Sequence, residues 1–241
     1  MYQEINPSIL TQNAIESIWI YKGPKDKIKF NVLPDACVDL IIDLNQNRGF
    51  VSGLMTQHQE QSLGANAHII GIRLKAEHAA FLTGLPLGET NNQKIDFSQL
   101  DPSWDSTWMQ KLYDFDAMSD KVYYLEKYIF KKAESFKHNL DNRILTLTNN
   151  IRKSKGKMSI IELAKSNLIS TRHLERKFKK EMGVTLKAFS NIIRFTHAKS
   201  QISKSPHTSL LEIAYNAGYY DHAHMNKEIN RIAGKNPSAF R

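Results

Sequence analysis

The chain has 241 residues, room for one large domain or two modest ones, and its 41% hydrophobic and 24% charged composition is ordinary for a soluble protein. No apolar run spans a bilayer, MYQEINPSIL lacks a basic-then-apolar leader, and the single Cys37 excludes an internal disulfide or a multi-thiolate zinc site, so a cytoplasmic location is expected. The net charge of +9 is uneven: Asp141 to Arg241 holds 19 Lys+Arg against 7 Asp+Glu, and residues 1–140 hold 14 against 17. A near-neutral front and a basic back predict two domains, the second drawn to a polyanion, with nucleic acid ahead of a membrane surface.

In chain order, KIKFNVL, CVDLIIDL, GFVSGLM and HIIGIRL, within residues 26–75, read as strands separated by the turn-like PDA, NQNRG and LGANA. Alternation shows in Ile28, Phe30 and Val32. A short helix is expected from Ala76 to Thr83, ending at Gly84. Many short strands in about 100 residues predict a small barrel or sandwich. Trp104 to Phe136, with Trp108, Leu112, Val122, Leu125 and Ile129, reads as a helical stretch that bridges the domains, offers a dimer face, or packs its aromatics on the barrel. His58, His68 and His78 sit in different elements, which argues against a metal site.

The back half contains a repeat. SIIELAKSNLISTRHLERKFKKEMGVTLKAF (Ser159 to Phe189) and SLLEIAYNAGYYDHAHMNKEINRIAGKNPSAF (Ser209 to Phe240) share S-x-x-E-x-A, a histidine (His173, His224), a glycine (Gly183, Gly234) and a closing Ala-Phe. A period near 50 residues means one supersecondary unit used twice. In the first copy Ser159 and Glu162 make a capping box, Asn167 suits the left-handed exit, and Ser170 caps a helix with Leu174, Phe178 and Met182 on one face. The second copy repeats this with Ser209, Glu212, Gly218 in the turn, and Asp221 capping a helix with Met225, Ile229 and Ile232 inward. On that helix His222 and His224 diverge by roughly 200°, so they cannot grip one metal. Leu186 to Ser203 between the copies is a third helical stretch, a strut of roughly 27 Å.

Two helix-turn-helix units follow, at about 159–183 and 209–234. The second helix of such a unit enters the major groove, where arginine grips guanine, asparagine grips adenine and an alanine methyl touches thymine. Arg172, Glu175 and Arg176 are therefore candidate base readers in the first unit, and His222, Ala223, Asn226 and Lys227 in the second. Ser170, Lys179, Lys180, Asn230 and Lys235 are candidate phosphate contacts.

From about Asp141 onward these motifs strongly resemble the DNA-binding domain of AraC/XylS-type transcription regulators. STRHLERKFKKEMGVTLKAF is similar to the family's first recognition helix and connector, and IAYNAGYYDHAHMNKEINRIAGKNPSAFR to its G-x-x-P-x-x-[FY]-R signature. Tyr219 stands for the usual Phe, Met225 and Ile229 stand where Phe is common, and Ala223 replaces a frequent Ser. The resemblance implies seven helices, the first being NRILTLTNNIRKS. LPDACVDLIIDLN with GIRLKAEHAAFLTGLPL resembles the amino-terminal domain of a subset of these regulators, which implies a cupin-like small barrel serving as sensor or dimerisation module. The expected fold is thus α+β in two domains. Residues 1–100 are the β-rich sensor, 101–138 a helical bridge, and 139–241 an all-α DNA-binding domain with two helix-turn-helix units joined by a linker helix.

The implied partner is double-stranded DNA, with RNA polymerase, a small-molecule effector and a second copy of the chain as further candidates, and no membrane. No cofactor or metal is expected. Cys37 beside Asp39 raises an alkyl-acceptor nucleophile, but repair proteins of that class anchor zinc on several cysteines and here there is one. A lone cysteine in a strand reads as a small buried hydrophobe, so no catalytic residue is assigned. The alternative function is a DNA-repair or nucleoid-associated protein on the same fold.

Overall fold

Alternating apolar residues build the front of the molecule. In the computed structural model, which describes residues 1–100, 106–136 and 142–241, eight strands form: β1 (Tyr2–Ile5), β2 (Ile15–Lys22), β3 (Ile28–Val32), β4 (Cys37–Asp43), β5 (Arg48–Ser52), β6 (Gln59–Leu63), β7 (His68–Lys75) and β8 (Lys94–Asp96). Six of them make an antiparallel sheet of order β1-β2-β7-β4-β5-β8, while β3 and β6 pair separately. Register places Ile18 opposite Ile72, Ile72 opposite Leu40, and Leu40 opposite Val51. That row and the neighbouring Ile20, Ile70 and Ile42 are all buried, so one face of the sheet is continuously apolar. Each such side chain contributes about 1.5–3 kcal/mol when fully removed from water.

The helices α1 (Ala76–Thr83), α2 (Leu87–Thr90), α3 (Ser106–Gln110) and α4 (Met118–Phe136) follow. Helix α1 ends as read, with Gly84 left-handed at φ 73° and its N–H bonded to Ala80 O. It inserts Ala76, Ala79 and Leu82, and α4 inserts Val122, Leu125 and Ile129. Trp108 is buried and stacks on Tyr128 at 5.1 Å, tying α3 to α4. The expected helical stretch is therefore two α-helices separated by a 3-10 turn (Lys111–Asp114); its start at Trp104 lies outside the described residues, as do the boundaries at 101 and 138/139. The sheet's other face carries a polar cluster. Asp39 accepts from Trp19 Nε1 at 3.1 Å and Arg73 Nε at 3.2 Å, and Arg73 also reaches Glu4 at 3.3 Å. Among the described residues the six-stranded sheet is open, β1 pairing with β2 and β8 with β5.

The back is helical: α5 (Asn142–Lys153), α6 (Ile160–Ser166), α7 (Thr171–Met182), α8 (Leu186–Lys204), α9 (Leu210–Asn216) and α10 (His222–Ala233), then a 3-10 turn at Pro237–Phe240. Six α-helices and a final turn stand where the resemblance implied seven helices. Two compact units result. One comprises Met1–Phe30, Cys37–Leu54 and Gln61–Leu140, and the other Asn31–Ala36, Met55–Glu60 and Asp141–Arg241. No described helix is long and apolar enough to cross a membrane.

Candidate nucleic-acid interface

Both helix pairs of the helical unit start from the same local chemistry. Ser159 accepts from Glu162 N at 3.2 Å while Glu162 accepts from Ser159 N at 2.7 Å, a complete capping box that also holds the Glu162 carboxyl below its ordinary range. Ser209 accepts from Glu212 N at 3.1 Å. The second helices are capped by Ser170, which accepts from His173 N at 3.3 Å, and Asp221, which accepts from His224 N at 2.6 Å. His224 returns the favour, its Nδ1 accepting from Tyr220 N at 3.2 Å, with its ring edge-on to Tyr219. So His224 serves the helix start, and both α7 and α10 stop at left-handed glycines, Gly183 and Gly234.

The turns differ from expectation by one residue. Asn167 keeps φ −101° and donates from its side-chain amide to Leu163 O at 2.8 Å, closing α6 without turning left-handed. Leu168 takes the left-handed conformation instead, at φ 54°, where the second motif has Gly218 at φ 80°.

Packing then fixes which faces are left outside. In the first motif Leu163, Ala164, Leu174, Phe178 and Met182 are buried, with Phe178 edge-on to Phe189 of α8 at 5.5 Å. In the second, Ile213, Ala214, Ala217, Met225, Ile229 and Ile232 join Phe195, Ala198 and Ile202 of α8 in one cluster. Arg172, Glu175, Arg176, Lys179 and Lys180 are all exposed on α7. On α10, Ala223, Lys227 and Asn230 are exposed and Asn226 is half-buried at the margin. Lys235 is exposed just beyond it, and Asn230 Nδ2 donates to Asn236 at 3.1 Å. Ser170 is exposed, its oxygen already engaged as a cap.

His222 is placed differently from its companions. It is half-buried, its Nε2 is screened from solvent, and it lines a groove with His207, Ser209, Leu210, Leu211 and Arg241. The residue that matches it in the first motif is Thr171, and the position matching Lys180 is Arg231, which is exposed and 3.5 Å from Glu228. Arg231 was missed in the sequence, although aligning His173 with His224 along the two helices brings it out. Cys37, at the start of β4, is buried.

A family described as "Helix-turn-helix domain" matches residues 163–241, and a family described as "Domain of unknown function (DUF6597)" matches residues 3–96. Comparison with the curated proteins finds no match. Among solved structures, ToxT from Vibrio cholerae aligns over 100% of this chain and 96% of its own, at 13% identity and TM-score 0.45. The C-terminal domain of AraT, a response regulator from Geobacillus stearothermophilus, aligns over 42% of this chain and 84% of its own, at 20% identity and TM-score 0.39. The xylose-binding transcription activator xylR aligns over 42% of this chain and 26% of its own, at 23% identity and TM-score 0.37. Two helix-turn-helix motifs on one connecting helix, closed by Gly234, Pro237, Phe240 and Arg241, identify the matched carboxyl-terminal residues as a helix-turn-helix domain of the AraC/XylS type.

Proposed function

We propose that the chain is a sequence-specific transcription regulator that lays α7 and α10 into adjacent major grooves of one duplex. The observation that carries this is the equivalence of the two helices: the same cap position, the same buried stripe, and an outward face free of apolar bulk on each. Arg172, Glu175 and Arg176 read bases from α7, and Ala223, Asn226 and Lys227 from α10, with His222 at the margin. Lys179, Lys180 and Lys235, with Ser170 and Asn230, meet phosphates and hold the register. The linker α8, 19 residues long, spans roughly 28 Å, comparable to the ~34 Å turn of B-DNA once helix widths are added.

The sheet-rich unit modulates this activity, through a small molecule or through pairing with a second copy. The polar cluster of Trp19, Asp39 and Arg73 on the face opposite the apolar core is the place we assign to such control. Selection of binding sites from a random duplex library, using the full chain, tests the proposal. Recovery of two sequence blocks about one helical turn apart is expected. Recovery of one short block, or of none, refutes it.

A further inference from the structure

Near the middle of α8, Arg194 touches the connector that enters the first motif and the turn inside the second. Its Nε and Nη2 donate to the single carbonyl oxygen of Gly156, at 3.2 and 2.7 Å, in the connector that leads into α6. The central carbon of the same guanidinium lies over the ring of Tyr219, 5.5 Å from its centroid, in the turn that leads into α10. Two other contacts close the same seam. Gly156 is buried against α8 so tightly that a Cβ there would lie 2.3 Å from Ser190 O. The stem of Lys157 passes Gly218 closely enough to meet a Cβ at 2.8 Å. Tyr219 itself is buried, so the stack is shielded from water and stronger than an exposed one.

A single helix with a motif packed on each half does not by itself set their separation to within an ångström. Each motif packs its apolar stripe on α8, and Asn191 Nδ2 of α8 also donates to Glu228 Oε1 of α10 at 2.7 Å, but these contacts tie each motif to α8 and not to the other, which leaves relative rocking open. A charge-assisted pair of hydrogen bonds on one side and a buried stack on the other remove that freedom. We propose that Arg194 is a positioning residue for DNA recognition: it clasps the entrance of the first motif to the turn of the second, so that the two recognition helices accept one spacing of half-sites only. This rests on the two-groove reading above.

The test measures anisotropy of labelled duplexes bound by the full chain. One duplex carries the site that the wild-type protein selects. Others carry one or two base pairs inserted between its halves, and two more keep a single half. One inserted base pair turns the halves apart by roughly 35°. The wild-type protein is expected to lose about tenfold or more in affinity on that insertion, and Arg194→Ala about two- to threefold, with single-half affinities equal between the two proteins. Arg194→Lys keeps the charge without the planar fork, and an intermediate penalty is expected. Should Arg194→Ala not fold by circular dichroism, the penalty for Arg194→Lys decides alone. An insertion penalty unchanged in the variants overturns the clasp, and so does an equal loss on single halves, which marks a purely structural role. If the wild-type protein binds one half as tightly as the pair, the two-groove reading itself has failed.

Discussion

Leu168 shows how a single position departs from what its neighbours predict. It is 93% exposed and left-handed, so its side chain contributes no burial while its backbone bears a cost that glycine avoids. Leu168→Gly is expected to stabilise the protein by about 0.5–1 kcal/mol, seen as a rise of a few degrees in melting temperature. A fall would show that the leucine is held by something other than its own motif. Tyr219 makes the opposite case: its hydroxyl is buried, its pKa is pushed up by that burial, and the oxygen meets no partner among the described residues. Tyr219→Phe removes an unpaired polar group and keeps the ring under Arg194, so equal or greater thermal stability is expected. Arg176→Ala, on the outward face of α7, should cost about 1–3 kcal/mol of affinity for the selected site and relax one base position. An unaltered base preference in a repeated selection would remove Arg176 from the reading set.

At the level of elements, the helices of the back half were readable because their signals are local. A cap residue, a glycine stop and apolar residues three and four apart lie within one dozen residues, and Ser170, Leu174, Phe178 and Gly183 all occupy the roles their types imply. Strands β1, β2, β6 and β8 went unread for different reasons. In β2 the register shifts between Ile15 and Ser17, so its buried residues fall at Ile15, Ser17, Ile18 and Ile20 and the alternation is broken. The others are short or polar and exist through partners far away in the chain, as Lys94–Asp96 does through β5. The candidate site was legible where outward faces follow from inward ones, as with Arg172 and Lys227. It was blurred at His222, whose burial depends on the groove beside α9. Helix α8 adds a testable pH effect. Burial holds the His197 imidazole below its ordinary pKa, and Lys155 and Lys157 push it the same way. The folded chain thus binds this proton more weakly than the unfolded chain. The stability it contributes is complete above the ordinary histidine value of 6.5 and is lost as the pH falls below it, through the lowered folded value. Melting temperatures recorded from pH 7.5 to about 5 should fall less steeply for His197→Gln than for the wild-type protein; parallel curves would contradict this.

For the whole molecule, charge asymmetry sets how binding responds to salt. If Lys179, Lys180 and Lys235 each neutralise a phosphate, log K against log salt concentration should fall with a slope of roughly −3 or steeper, and Lys179→Ala should lessen it by about one. A slope near zero would mean that the basic half does not act on the phosphate backbone. The equivalence of the two motifs is one of frame and not of chemistry: arginine, glutamate and arginine face outward on α7 where alanine, asparagine and lysine face outward on α10. If both faces read bases, two unlike reading heads carried in fixed succession by one polypeptide match a target that has a left and a right. On the proposed reading, inverting that target end for end would turn the bound molecule about, making its heading along the chromosome a property written into the DNA.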